Sequence, residues 1–371
     1  MKGRVELERK NPFTPVFGCI PPYMAGREQV VGDIAASFDR DVVDPNWCTV
    51  FVGARGTGKT ALLSLLSRKA EERGWVAANV SCEMEMLDDI LEQTIHSADA
   101  FVERAGSVRL KSLSLGGVVG AEWEYRDASS GNWRTRMTSV LSALNEQGIG
   151  LLITVDEVKG NVPDMIQLAS VYQHFVREGR KVSLLMAGLP SHVSALVSNE
   201  STSFLRRAQT RKLGGVADGE VLVAFRRTIE QAGRSIDGDA LDAAVDFIDG
   251  FPYMMQLVGY HSWAMNPAAD VVSCRDVEDG MVLARAEFED SVLNATYREL
   301  SDGDVAFLQA MLPDGERPSS LASIAQRTGK SRATVRVYKA RLVEQGIIAD
   351  ERRGYVVFEL PGFRTYLAEK L

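Results

Sequence analysis

Short apolar runs alternate with longer segments of helical period through the first half of this chain. The runs are Thr49–Val52, Ala77–Val80, Leu151–Val155 and Val182–Ala187. Each is continuous rather than alternating, which suits a strand buried on both faces. Helical segments between them predict a parallel sheet covered by helices on both sides, an α/β fold. The period changes between Gly106 and Gly131. There Ser107–Leu115 alternates polar and apolar residues and Gly120–Tyr125 does so weakly, which predicts a hairpin inserted into the α/β domain. From Asp218 to Glu299 the pattern is almost purely helical, with segments at Glu220–Gly233, Asp239–Ile248, Tyr253–Ala264 and Asp276–Tyr297. Ser301–Leu371 forms a third unit. Before the sheet, the Pro- and aromatic-rich stretch 11–22 reads as extended chain packed on a surface. A helix then starts at Gly26-Arg27-Glu28 and runs through Phe38. The predicted domains are 1–216, 217–300 and 301–371.

The junction between the first apolar run and the first helix of the sheet carries candidate chemistry. Gly53-Ala-Arg-Gly-Thr-Gly-Lys-Thr60 satisfies the phosphate-loop pattern G-x-x-x-x-G-K-[ST]. Cys48–Val52 precedes it as a buried strand and Ala61–Arg68 follows it as a helix. Glycines let the backbone curl so that successive N–H groups face one anion, and the helix N-terminus adds partial positive charge. The candidate nucleotide contacts are Gly53, Arg55, Gly56, Thr57, Gly58, Lys59, Thr60 and Ala61. Lys59 reaches the β- and γ-phosphates and counts as a candidate catalytic residue. The Thr60 hydroxyl is a candidate ligand of Mg²⁺. The expected cofactors are therefore ATP and Mg²⁺.

A second apolar run ends in carboxylates. Leu151-Leu-Ile-Thr-Val-Asp156-Glu157 has the Walker B form. Asp156 would hold Mg²⁺, directly or through water, and Glu157 would polarise the water that attacks the γ-phosphate.

Composition narrows the setting. A chain of 371 residues, 45% hydrophobic and 25% charged, has the make-up of a globular protein of two or three domains. No apolar run approaches the ~20 residues of a membrane helix. The charged start, Met1–Lys10, lacks the apolar stretch of a signal peptide, so a cytoplasmic location is expected. Four scattered cysteines argue against a disulfide frame or a zinc site. With a net charge of −8, any nucleic-acid binding must come from a local basic patch.

Such a patch lies in the third unit. Ser320–Arg327 reads as a short helix, Thr328-Gly329-Lys330 as a tight turn, and Ser331 as the cap of a helix from Arg332 to about Gln345. This is the helix-turn-helix signature. Ile347–Asp350 and Tyr355–Phe358 can pair around Glu351–Gly354, completing a winged helix. Val335, Tyr338 and Leu342 share the spacing of a core face, whereas Arg332, Arg336 and Lys339 fall on another. Arg352 and Arg353 sit at the wing tip. Glu316–Gly354 holds nine Lys/Arg against four Asp/Glu, the local footprint of a duplex DNA reader.

Gly26-Arg27-Glu28, the phosphate loop and the Asp156-Glu157 strand resemble an AAA+ ATPase. The resemblance is to the branch of origin-recognition initiators and signal-transducing (STAND) ATPases. It extends to a group of bacterial ATP-binding proteins through Asn11-Pro-Phe-Thr-Pro-Val-Phe-Gly18, Pro21-Pro22, Ala187-Gly-Leu-Pro190, Ser203-Phe-Leu-Arg-Arg-Ala208, Gly250-Phe-Pro252 and Leu360-Pro-Gly-Phe363. The resemblance implies a P-loop NTPase αβα sheet, a helical lid and a winged helix. It implies that Gly26 and Arg27 line the adenine, and that Gly250 and Pro252 form the G-x-P element of the lid. It makes Arg206 and Arg207 candidate arginine fingers, acting on a neighbour's nucleotide in a homo-oligomer built through the ATP sites.

The chain departs from the wider pattern in two places. The strand ending Leu184-Leu-Met-Ala-Gly188 has no Asn or Thr where a polar sensor would sit. Tyr253 and Met254, not an arginine, follow Pro252. Both departures favour slow, switch-like hydrolysis. Two readings follow: an ATPase coupling nucleotide state to duplex DNA, or a STAND-like switch whose winged helix docks a protein partner.

Overall fold

The structure, a computed structural model, describes residues 9–16, 18–41, 43–105 and 132–370. The hairpin expected within 107–125 lies outside the described residues. By Cα packing the chain forms two compact units. One holds Arg27–Val52 and Lys59–Lys212. The other holds the chain up to Gly26, the short loop Gly53–Gly58, and Leu213–Leu371.

The first unit is built on a five-stranded sheet: β1 Cys48–Val52, β2 Val76–Ser81, β3 Leu151–Asp156, β4 Val182–Gly188 and β5 Gln209–Lys212. The order is β2-β3-β4-β1-β5, with every pairing parallel. β4 therefore lies between the strand that feeds the phosphate loop and the strand that ends in carboxylates. Every residue of β4 is buried, which its unbroken apolar run required. The fifth strand, Gln209-Thr-Arg-Lys212, was not expected, because it is polar throughout. It is an edge strand paired on one side to β1, half of its residues are exposed, and it needs no apolar run.

An aromatic cluster stabilises this unit beneath the sheet. Trp75 lies 5.1 Å from both Phe38 and Trp47, centroid to centroid, and all three are buried. A β-carbon at Gly150 would come within 2.5 Å of the Trp75 ring, so the chain entering β3 must carry glycine there.

In the second unit, helices Asp218–Gln231, Gly238–Ile248, Pro252–Met265 and Cys274–Phe288 pack together with a two-strand parallel pair, β6 Ser235–Ile236 and β7 Val271–Val272. The segment predicted as one helix over 276–297 is continuous but passes through a π-turn at Glu289–Leu293 before Asn294–Arg298. The extended N-terminal stretch is a strap on these helices. Phe13 is buried beside Phe225, centroids 5.1 Å apart, where Gly259 leaves room for its ring. Asn11 and Thr14 fasten either side of it, to the Tyr260 carbonyl and the Gln256 side chain.

The C-terminal part of this unit has winged-helix topology. Helix Asp302–Gln309 is followed by β8 Ser319–Ser320, helix Leu321–Thr328, helix Arg332–Glu344, β9 Ile348–Arg352 and β10 Tyr355–Phe358. The strands form an antiparallel sheet in the order β8-β10-β9. Ser301, Ser320 and Ser331 cap the three helices, and Gly329 closes the second in the left-handed conformation at φ +65°. Val335 and Leu342 are buried as their spacing predicts, and Tyr338 is half-buried against the same core.

Candidate functional site

Beyond Val52 the backbone turns through the phosphate loop and enters the helix Lys59–Glu71. Gly56 and Gly58 have φ of +77° and +84°, the sharp curl the motif needs. At Gly53 a β-carbon would lie 2.5 Å from the Leu213 carbonyl and 2.7 Å from the Thr57 hydroxyl. Thr57 instead donates to the Ala54 carbonyl at 2.9 Å and braces the curl. Arg55 pairs with Glu299. Ala61 follows in the first turn of the helix.

In the sheet unit, the Thr60 hydroxyl donates to Asp156 Oδ2 at 2.5 Å. The helix after the loop and the end of β3 thus bring a hydroxyl and a carboxylate together. The other Asp156 oxygen accepts the Glu157 N–H at 2.8 Å. Glu157 is exposed and adopts φ +51°, a left-handed conformation that few non-glycine residues hold. Such local strain clusters at functional sites. Behind this corner a polar network joins helix to sheet: Ser67 and Thr154 both donate to Asn79 Oδ1. Among the described residues no three His, Cys, Asp or Glu side chains gather as a metal cage. Thr60 and Asp156 nevertheless fit Mg²⁺, which takes hard oxygen ligands from a few side chains together with waters and substrate phosphates.

The G-x-P element belongs to the other unit. Asp249 and Gly250 are left-handed in succession, and the Gly250 carbonyl accepts the Val216 N–H at 2.8 Å. Pro252 occupies the first turn of its helix, where its missing N–H is harmless. The loop 53–58 packs on this element. A β-carbon at Gly56 would meet the Phe251 ring at 2.6 Å, and the Tyr253 N–H donates to the Gly56 carbonyl at 3.2 Å.

The remaining candidates are spread more widely. Gly26 is left-handed at φ +65° beside Glu220 and Val216, and Arg27 is half-buried at the start of helix Glu28–Ser37. Arg206 and Arg207 are both exposed in the last turn of a 3-10 segment, Glu200–Arg207. Arg206 donates to the Val197 carbonyl at 3.3 Å. The end of β4, Leu184–Gly188, is buried and apolar.

On the winged helix, Arg332 and Arg336 are exposed, and neither makes an ion pair among the described residues. Lys339 is different: it is half-buried and tied to Asp350 of β9. Arg352 stacks over Tyr355, 4.2 Å from the ring centroid, and Arg353 is exposed at the wing tip. Sequence spacing put Lys339 with the two arginines and gave no sign of Asp350, whose approach depends on β9 folding back on the helix. Glu299 was likewise invisible as a partner of Arg55.

A family model described as a domain of unknown function (DUF8462) matches residues 290–367. No curated protein matches the chain. Solved structures do match. The Walker-type ATPase PABY2304 of Pyrococcus abyssi aligns with a TM-score of 0.67 at 14% identity, covering 93% of this chain and 96% of that one. The ORC2 protein of Aeropyrum pernix, in ADPNP-ADP complexes, aligns with a TM-score of 0.68 at 14% identity, over 96% and 95% of the two chains. Cdc6p from Pyrobaculum aerophilum gives 0.50 at 13% identity, over 96% and 97%. The chain has the AAA+ fold.

The likeness to these structures is one of fold. Within the AAA+ fold, the function has to be argued from the side chains of this chain. No described helix is long and apolar enough to cross a membrane.

Proposed function

We propose that this chain is a Mg²⁺-dependent ATPase whose nucleotide state governs duplex DNA binding by the winged helix. The ATPase half rests on the curled loop followed by Lys59, on the contact between Thr60 and Asp156, and on exposed Glu157 at the end of β3. Loop N–H groups and the Lys59 ammonium bind the phosphates. Thr60 and Asp156 would hold Mg²⁺, whose charge would be available to the phosphate oxygens. Glu157 accepts a proton from the attacking water. The apolar end of β4 and the absence of arginine after Pro252 favour slow turnover and a switch. Exposed Arg206 and Arg207 suit arginine fingers supplied to a second copy.

One observation carries the coupling. The phosphate loop touches the C-terminal part of its own unit: Arg55 pairs with Glu299, and a β-carbon at Gly346, just after the second helix of the helix-turn-helix, would meet Ala54 at 2.7 Å. A phosphate bound in the loop would change the surroundings of both contacts.

The test is the affinity of the full chain for random duplex DNA with ATP, with ADP and without nucleotide, across a salt series. The expected outcome is a nucleotide-dependent affinity that falls with salt, with a logarithmic slope of about −0.9 per phosphate contacted. Changing Arg332 and Arg336 together to Ala should weaken binding and flatten the slope while leaving ATP binding intact, whereas Lys339, already paired with Asp350, should matter less. Failure to bind duplex at low salt in every nucleotide state would reject the DNA reading. The STAND-like switch with a protein partner would then take its place.

A further inference from the structure

We propose that the second helix of the helix-turn-helix reads thymine methyl groups in the major groove, through Ala333, Val337 and Ala340. This rests on the duplex-DNA reading and adds a sequence preference to it.

The exposed positions of helix Arg332–Glu344 include Arg332, Ala333, Arg336, Val337 and Ala340. Their spacings of one, four, five and eight residues place them along one face. Val335 and Leu342, both buried, anchor the opposite face in the core. Val337 is 63% exposed, and no packing role in the fold accounts for it. A lone exposed valine means little. Here it lies in a row with two alanines, at successive turns of the helix, beside two arginines.

Charge singles out the same face. Arg332 and Arg336 make no ion pair among the described residues, nor do Lys330 in the turn and Arg353 at the wing tip. The basic side chains elsewhere on the winged helix are mostly neutralised: Arg327 by Asp314, Lys339 by Asp350, Arg341 by Asp304 and Arg352 by Glu351. Uncompensated positive charge therefore coincides with the small apolar row.

A major groove fits this pairing of features. Small side chains let the helix approach the groove floor, where the C5-methyl of thymine is the one apolar group a base pair displays. Arginines a turn apart reach guanine edges or the phosphates on either side. Three small residues offer too little apolar area to hold a protein partner by burial.

Binding sites would be selected from a random duplex library by the full chain with ATP. Thymines in the selected site would then be replaced singly by uracil, which lacks the methyl group alone. Each contacted thymine should lose about fourfold in affinity, the value of one buried methyl-sized group. Val337→Ser removes both γ-methyl groups and leaves a hydroxyl in their place. It should abolish the uracil penalty at one position while salt-dependent duplex binding persists. If the library yields no preferred sequence, or uracil is tolerated at every position while duplex binding persists, methyl reading is overturned and the DNA function stands. If the chain binds no duplex at all, both fall.

Discussion

Arg55 of the phosphate loop is paired with Glu299, Nη2 to Oε1 at 2.5 Å, although 244 residues separate them. Arg55 thus sits in a loop with the phosphate-binding sequence pattern while its charge is satisfied by a carboxylate. A bound γ-phosphate would compete for the same guanidinium. Both side chains are partly exposed, so the pair is worth at most about 1 kcal/mol. Glu299→Gln should therefore tighten ATP binding by no more than about fivefold. Calorimetry showing an unchanged or weaker affinity would mean that Arg55 does not exchange partners.

Lys59→Ala should abolish ATP binding. It removes the ammonium expected on the β- and γ-phosphates and leaves the curl set by Gly56 and Gly58 intact. Retained affinity in the same calorimetric assay would refute the role of the loop.

Glu157→Gln should keep ATP binding and slow turnover by about a hundredfold or more, the usual worth of a positioned base. Glutamine preserves the shape at φ +51° but cannot take a proton from water. Phosphate release at the wild-type rate would remove Glu157 from the chemistry.

Phe13→Ala should destabilise the unit it straps by about 3–5 kcal/mol, because its ring is buried beside Gly259 and Phe225. Urea unfolding followed by tryptophan fluorescence would report it. A midpoint within error of wild type would show that the strap is dispensable.

Asp314 provides a pH-dependent contact in the winged helix. Hydrogen bonds from Arg327, at 2.7 Å to each oxygen, hold its carboxyl at about 2. The folded value lies below the unfolded one. The stabilisation is therefore complete above the ordinary carboxylate range and is lost as pH falls through about 2. An NMR titration of the Asp314 carboxyl should show this depressed midpoint in wild type and a return toward the ordinary value in Arg327→Gln.

Elements whose chemistry is local were legible in the chain. The four buried runs read as strands because parallel strands covered on both faces must be apolar throughout. The phosphate loop was legible because curl, ammonium and hydroxyl are contiguous in the chain. The helix capped by Ser331 and the Gly329 turn of the winged helix were legible for the same reason, as was the division of Val335 and Leu342 from Arg332 and Arg336; the caps at Ser301 and Ser320 emerged only in the structure.

Contacts between residues far apart in sequence emerged only on folding. The polar edge strand Gln209–Lys212 exists because β1 offers it a partner, not because its residues favour a sheet. Lys339 is tied to Asp350 because β9 brings that carboxylate against the helix, and Arg55 is paired with Glu299 because the fold sets that residue within reach. Hydrophobic period records which face of an element is buried, but a charged side chain takes whichever partner the fold carries to it.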